Sequence, residues 1–260
     1  MEYGRRYRAF RPGVRRILDI GTGTGLWAVE IGDIFTGAEV VGNDLGACYT
    51  AKAPPNVRFE VDDVESPWVE QKYDYIMCRY MVGSILDRPK LVKNIYDRLR
   101  LDEISHLNPG GWAEFQEMIC EYYSDDGTYT AKHATWGWNK TLVRTLESIG
   151  RDPNPAAKVK GWVVDAGFQS VFHQKFKLPI GPSPKDPHYK EVSLLNLAQN
   201  LEGLEAFSMR LMCGVLGRTR EEALAQIQEV RKGLKSGVFH ALFDLHVLYG
   251  QKASDEEEQA

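Results

Sequence analysis

ILDIGTGTGLW, residues 17–27, is the stretch on which the reading of the chain turns. Its opening run, Ile17-Leu18-Asp19-Ile20, predicts a buried strand. Leu26, Trp27, Ile31 and Ile34 then recur at helical spacing and predict a helix with those residues as its apolar stripe. Between strand and helix stand Gly21, Gly23 and Gly25, with Asp19 two residues ahead of the first. A strand, a glycine-rich turn and a helix N-terminus together let backbone amides approach an adenosine-type ligand closely. The dinucleotide-binding fingerprint would place a glycine at position 26. That position is leucine, and the third glycine arrives one residue early.

The length of 260 residues suits one α/β domain with a lid or insertion and a large core. A hydrophobic fraction of 43% and a charged fraction of 26% are ordinary for a soluble protein. The net charge of −4 carries no overall signature of nucleic-acid binding. Cys48, Cys78, Cys120 and Cys213 lie far apart without C-x-x-C spacing. They read as reduced, mostly buried thiols of an intracellular protein, with no metal or redox pair. No apolar stretch approaches the roughly 18 residues of a membrane span, and the Arg-rich N-terminus lacks the apolar segment of a signal peptide. A soluble, cytoplasmic protein is expected, without nucleic-acid or membrane partners.

Residues 1–16 hold six arginines and three aromatics, either a basic arm or a solvated segment packing its rings beside the first strand. Ala38–Asn43 predicts a second strand ending at Asp44, 19 residues beyond Gly25. A carboxylate at about that distance past the glycines is where a ribose diol is gripped; the alternative is a turn aspartate after Asn43. Val57–Val61 alternates as a third strand and ends in Asp62-Asp63. Asp63 suits an adenine amino group with the Val64 amide on a ring nitrogen, and Asp62 suits a turn or cap. Tyr73–Cys78 predicts a fourth strand running into Arg79-Tyr80-Met81, at the carboxyl end where open α/β sheets bind ligands. Arg79 either holds a ligand carboxylate or pairs with Asp19.

Pro89 fits the first turn of a helix with Leu91, Val92, Ile95 and Leu99 on one face. His106–Gly111 is a turn into a fifth strand, WAEFQEMI, with Glu117 expected to face the pocket. Thr135–Ile149 predicts a helix offering Trp136, Trp138, Leu142 and Leu146. HATWGWN, with His133, lines an aromatic substrate pocket, supplies a general base, or simply packs a lid. Phe168–Leu178 predicts a sixth strand, followed by a four-proline loop to Pro187. Tyr189–Cys213 and Thr219–Ser236 predict two helices, the second opened by a Thr219–Glu222 capping box. Leu242–Tyr249 alternates strictly as a seventh strand with a structural His246, and Ser254–Ala260 is an acidic tail expected to be disordered.

The D-x-G-x-G-x-G form resembles motif I of the class I S-adenosylmethionine-dependent methyltransferases. More narrowly, the chain resembles the fungal LaeA-like methyltransferases of secondary metabolism. The segments ILDIGTGTGLWAVEIGD, AEVVGNDLG, PPNVRFEVDDVESPW, YDYIMCRYMVGSI, HLNPGGWAEFQE and HALFDLHVLYGQK carry the resemblance, in the family's order. It implies a Rossmann-like class I methyltransferase fold: a seven-stranded, mostly parallel sheet with an antiparallel last strand, helices on both faces and a helical lid. It divides the chain into a basic arm (1–16), a cofactor-binding core (17–120), a C-terminal part with substrate-covering helices (121–253) and an acidic tail (254–260).

By the same resemblance the cofactor is S-adenosylmethionine. Gly21, Gly23 and Gly25 would cradle its methionine–ribose part, Asp19 its amino end, Asp44 the ribose hydroxyls, and Asp63 with Val64 the adenine. Arg79 to Met81 would close over the sulfonium. No catalytic residue and no metal ligand stands out, because alignment of a nucleophile with the methyl group is the main task. Two features depart from the family pattern: sixteen residues precede the first strand, and RLRLDEIS, Arg98–Ser105, is interposed before the H-L-x-P-G-G turn. Read as helix, those eight residues add roughly 12 Å. The activity implied is methylation of a small secondary metabolite. The alternatives are a LaeA-like regulator acting through protein partners, with a nuclear location, or a non-methylating reaction such as a cyclisation. Nicotinamide-dependent oxidoreduction is disfavoured by Leu26.

Overall fold

The computed structural model describes residues 13–47, 52–68, 71–100 and 110–253. Most of the basic arm, the acidic tail, Cys48, Leu101–Ser105 of the interposed segment and His106–Pro109 of the turn lie outside the described residues.

Strands β1 (Arg16–Ile20), β2 (Glu39–Asp44), β3 (Val57–Val61), β4 (Tyr75–Arg79), β5 (Trp112–Met118), β6 (Gln169–Ile180) and β7 (Ala241–Gln251) form one sheet. Their order is β3-β2-β1-β4-β5-β7-β6. β7 lies antiparallel between β5 and β6, while β3, β2, β1, β4 and β5 pair in parallel. This is the sheet the resemblance implied.

A parallel strand covered on both faces needs apolar residues at consecutive positions, which accounts for the ILDI run. Ile17 packs towards helix α1 (Leu26–Ile34), with Trp27, Ala28 and Ile31. Leu18 and Ile20 point the other way, into a cluster with Leu91, Val92 and Ile95 of α2 (Arg88–Arg98) and Val159 and Val163 of α4 (Ala156–Asp165). A third cluster lies beyond the sheet, where α3 (Ala134–Ser148), α5 (Pro187–Met209) and α6 (Arg220–Ser236) pack on Ile180, Ala241 and Phe243. That third layer is the helical lid.

The expected elements recur with physical corrections. The apolar stripe of α1 is Trp27, Ala28, Ile31 and Gly32; Leu26 and Ile34 are 62% and 63% exposed. Gly32 explains the rotation, since a Cβ there would sit 2.2 Å from Val57 Cγ2. β4 starts at Tyr75, and Tyr73 instead makes an isolated bridge to Leu99. Leu99 is buried, but as the extended residue that ends α2. α4 was not expected at all. β6 runs on through Pro179 to Ile180, which an edge strand tolerates because it has one unpaired side.

The helix expected over Tyr189–Cys213 is α5 followed by a π-helical segment, Arg210–Val215. The capping box of α6 is formed: Glu222 N donates to Thr219 Oγ1, and Thr219 N to Glu222 Oε2. His246 is held in the sheet, its Nδ1 3.0 Å from His173 Nε2. Of the described cysteines Cys78 is buried, whereas Cys120 and Cys213 are only half-buried. Where the interposed segment leaves and rejoins the sheet, Arg100 N donates to Tyr73 O and Gly111 N to Arg100 O, each at 2.9 Å. Its two ends are therefore stapled together.

Candidate functional site

The carboxyl ends of β1, β2 and β4 converge on the glycine turn. Gly21, Gly23 and Gly25 have φ of +66°, +57° and +76°, a region that strains other residues. The turn is pinned at its base and at its side. Thr22 Oγ1 donates to Asp19 Oδ2 at 2.7 Å, Thr22 N to Asn43 O at 2.9 Å, and Gly23 N to Asp44 Oδ2 at 3.0 Å. Asp44 also accepts from Gly46 N at 3.0 Å. One carboxylate thus ties the β1 turn to the loop after β2. A carboxylate offers about four acceptor sites, so two backbone donors leave it capacity for ligand hydroxyls.

Asp19 is 1% exposed and its Oδ1 has no hydrogen-bond partner among the described residues. Burial pushes its carboxyl up to about 6, against the pull of the Thr22 hydroxyl and the Arg79 charge. Arg79 lies on the same face of the sheet with its Cζ 6.0 Å from the Trp27 ring centre, and it acts on Asp19 through charge rather than a hydrogen bond. On the next loop Asp62 Oδ1 accepts from Asp63 N, and Asp63 Oδ1 from Glu65 N, both at 2.9 Å. Asp63 is exposed, while Val64 is buried and its carbonyl takes the Trp68 indole at 2.7 Å. The eight residues proposed from sequence thus all lie on β1, β2 and β4 and on the loops that follow β1 and β3.

After β4 the backbone turns sharply at Tyr80, φ +53°. Met81 then lies over Gly21: a Cβ on that glycine would come within 2.3 Å of Met81 Sδ. A buried pair holds Met81 from behind. Arg88 Nη1 donates to Glu117 Oε1 at 2.8 Å and Nη2 to Met81 O at 2.5 Å. Glu117 therefore does not face the pocket as expected. It sits on the α2 side of β5 with Ala113 and Phe115, and Met118 lines the cavity instead. Burial raises the Glu117 carboxyl, with Arg88 opposing.

A cavity of about 340 Å³ opens between this turn and the lid. Tyr80, Val82, Gly83 and Ser84 form one wall; Trp138, Leu142 and Leu146 of α3 and residues of α5 form the others. The HATWGWN segment splits: Trp138 lines this cavity, while Trp136 borders a separate hollow with Tyr123, Tyr129 and Lys140. His133 lies off the cavity, engaged with Thr130 and packed on Tyr129 and Phe239. It is not placed to serve as a base there. Sequence reasoning missed the Arg88–Glu117 pair, the amides Asn139 and Asn200, and Arg210. The signal for Asn139 was an amide among Trp138, Leu142 and Val143 on the buried face of α3. The other residues carried none. Among the described residues no group of three or more His, Cys, Asp and Glu stands together to hold a metal, and no helix is long and apolar enough to cross a membrane.

A family profile described as a methyltransferase domain matches residues 3–175. The chain is 43% identical over 243 residues to methyltransferase pytC of Aspergillus terreus, covering 93% of this chain and 72% of that protein. It is 32% identical over 237 residues to the secondary metabolism regulator LAE1 of Cochliobolus heterostrophus, covering 89% and 75% respectively. Among solved structures it superposes on phosphoethanolamine N-methyltransferase 2 of Haemonchus contortus with a TM-score of 0.54 at 20% identity, over 93% of this chain and 49% of that one. That likeness is one of fold.

Proposed function

We infer, since the chain belongs to the methyltransferase-domain family, that it is an S-adenosylmethionine-dependent methyltransferase acting on a small-molecule acceptor of secondary metabolism. One observation carries the reading: the segment after β4 borders both the glycine turn and the cavity by the lid. Met81 lies over the glycine turn, and its neighbours Tyr80, Val82, Gly83 and Ser84 line the apolar cavity. A cofactor on the turn and an acceptor in the cavity would share that wall.

The residues present fit the cofactor. The buried Asp19 Oδ1, unpaired among the described residues, suits a cationic amine, the space beside Gly23 is open, and Asp44 and Asp63 offer carboxylate acceptors to hydroxyl and amino groups. On this reading Asp19 with Gly21, Gly23 and Gly25 holds the methionine end, Arg79 its carboxylate, Asp44 the ribose, and Asp63 with the Val64 amide the adenine. When bound, the cofactor supplies an electrophilic methyl group on a sulfonium. The chain's own task is then to orient the acceptor and exclude water, through Trp138, Leu142 and Leu146 on α3. No nucleic-acid partner is part of this reading, and it places the protein in the cytoplasm.

The test is calorimetric titration with S-adenosylmethionine and S-adenosylhomocysteine, using Asp44→Ala as the variant. Micromolar binding is expected, weakened at least about tenfold, or about 1.4 kcal/mol, in the variant. A folded protein that binds neither compound overturns the reading. The likeness to LAE1 supports a second reading, a regulator acting through a protein partner in the nucleus. A stable partner co-purifying with the chain, and cofactor binding without turnover of any small acceptor, would favour it.

A further inference from the structure

Most polar groups on the cavity wall are already committed to one another. Trp138 Nε1 donates to Ser208 Oγ at 2.8 Å, and the Tyr122 hydroxyl to Asn200 Oδ1 at 2.6 Å. Asn139 accepts from Tyr122 N at 2.9 Å and donates to Cys120 O at 2.7 Å. To a ligand these groups present ring faces and spent amides, so the interior behaves as apolar.

Among the described lining residues the side chains of Ser84, Gln199 and Arg210 make no hydrogen bond, and of these Arg210 alone carries a charge. Its side chain is exposed at the cavity's rim and has no hydrogen bond or ion pair among the described residues. Arg210 and Leu211 stand three and four positions after Phe207, helical spacings that share one face, and all three line the same wall. α5 is regular through Met209, and π-helical winding begins at Arg210. None of the described lining residues is Asp, Glu, His or Lys. An unpaired guanidinium therefore faces an apolar cavity that holds no competing carboxylate.

We propose that this cavity selects acceptors with an apolar, ring-sized body and an anionic oxygen group, a carboxylate or an ionised enol or phenol, which pairs with Arg210. The assignment rests on the acceptor role given to the cavity above and narrows it to a chemical class. A planar guanidinium matches a carboxylate with two parallel hydrogen bonds, a geometry an ammonium cannot supply.

The experiment compares three probes of one shape, 2-naphthoate, 2-naphthamide and 2-naphthylmethylammonium, by calorimetry on the full chain, alongside Arg210→Met and Arg210→Lys. Naphthoate should bind at least tenfold more tightly than the amide, and the ammonium more weakly than either. Arg210→Met should bring naphthoate within threefold of the amide while leaving amide binding unchanged, which also shows that the variant is folded. Arg210→Lys should keep part of the preference. Equal binding of all three probes, a preference that survives Arg210→Met, or no binding of any probe overturns the proposal. S-adenosylmethionine titrated into the same samples separates the two readings. If the cofactor binds and the naphthoate preference is absent, the acceptor class alone fails. If the wild-type protein does not bind the cofactor, the methyltransferase reading fails.

Discussion

Replacing Gly21 and Gly23 by alanine, one at a time, separates two costs that a glycine-rich turn usually mixes. Both residues have left-handed backbone, φ +66° and +57°. Alanine at either position therefore incurs about 1–2 kcal/mol of backbone strain. Only Gly21 carries a further cost. A Cβ there would lie 2.3 Å from Met81 Sδ, whereas nothing lies within 4 Å of one at Gly23. Met81 ends in a flexible thioether and yields by leaving its rotamer, which adds about 0.5–1.5 kcal/mol. For a chain of this size each kcal/mol lowers Tm by about 2–4 °C, so Gly23→Ala should cost about 2–8 °C and Gly21→Ala a few degrees more. The double-mutant cycle with Met81→Ala is the decisive assay. In the Met81→Ala background, Gly21→Ala should cost no more than Gly23→Ala does, because only the backbone term is left. If the two glycine variants melt together, or if the excess cost of Gly21→Ala persists without Met81, then Met81 does not lie over the turn and the shared-wall argument collapses.

Two further outcomes follow from the buried charges. The folded-state pKa of Asp19, about 6, lies above its ordinary value of 3.8. Its protonation therefore favours the native state, and that contribution is fully present below about pH 4 and lost as the pH rises through 6. Relative to Asp19→Asn, wild-type stability in urea titrations should improve by up to about 3 kcal/mol from pH 7 to pH 4. Cofactor affinity should fall over the same descent, since a cationic amine needs the ionised carboxylate; affinity that does not change between pH 7 and pH 5 would remove Asp19 from the amino end. Arg88→Met strands Glu117 and should cost about 3–5 kcal/mol in denaturant unfolding, whereas Arg88→Met/Glu117→Leu should recover most of it. A double variant as unstable as the single one would show that the pair's hydrogen bond to Met81, rather than its charge, is what matters.

How far the fold was legible follows from which interactions are local. The glycine turn, the parallel strands and the capping box of α6 are written in residues no more than a few positions apart, and the structure realises them. α4 escaped because Gly161 interrupts it and only Ala156, Val159 and Val163 are buried, three positions that make a thin stripe. The face of a strand residue is fixed by what packs on each side. Alternation placed Glu117 on one side or the other without deciding which, and its partner Arg88 is 29 residues away. Leu26 and Ile34 have the right period and the wrong phase, because the phase of α1 is set by the close approach of Gly32 to Val57. Arg210 reads from sequence as one more charge in a helix, since nothing local announces the cavity its face of the helix borders.

The segment from Tyr80 to Asp87 lies between the glycine turn and the lid cavity, and it is fastened on several sides. Glu65, on the loop that carries Asp63, accepts from Leu86 N at 2.9 Å and Asp87 N at 3.0 Å. Arg88 holds the Met81 carbonyl from the α2 side, and Arg151, just beyond α3, holds the Ser84 carbonyl from the lid side. The wall between the two proposed ligands is thus tied to the cofactor loops, to the sheet through Glu117, and to the lid. The opposite wall differs. α5 meets the cavity mainly through Asn196, Gln199, Asn200 and Phe207, and its regular winding gives way at Arg210. A methyl donor must be held in one place whatever the acceptor, and an acceptor pocket must differ between relatives that share the reaction. The fixed wall supplies the first requirement and the α5 wall the second, so residues that change acceptor choice should be sought on α5 and its π turn rather than on the β4 side.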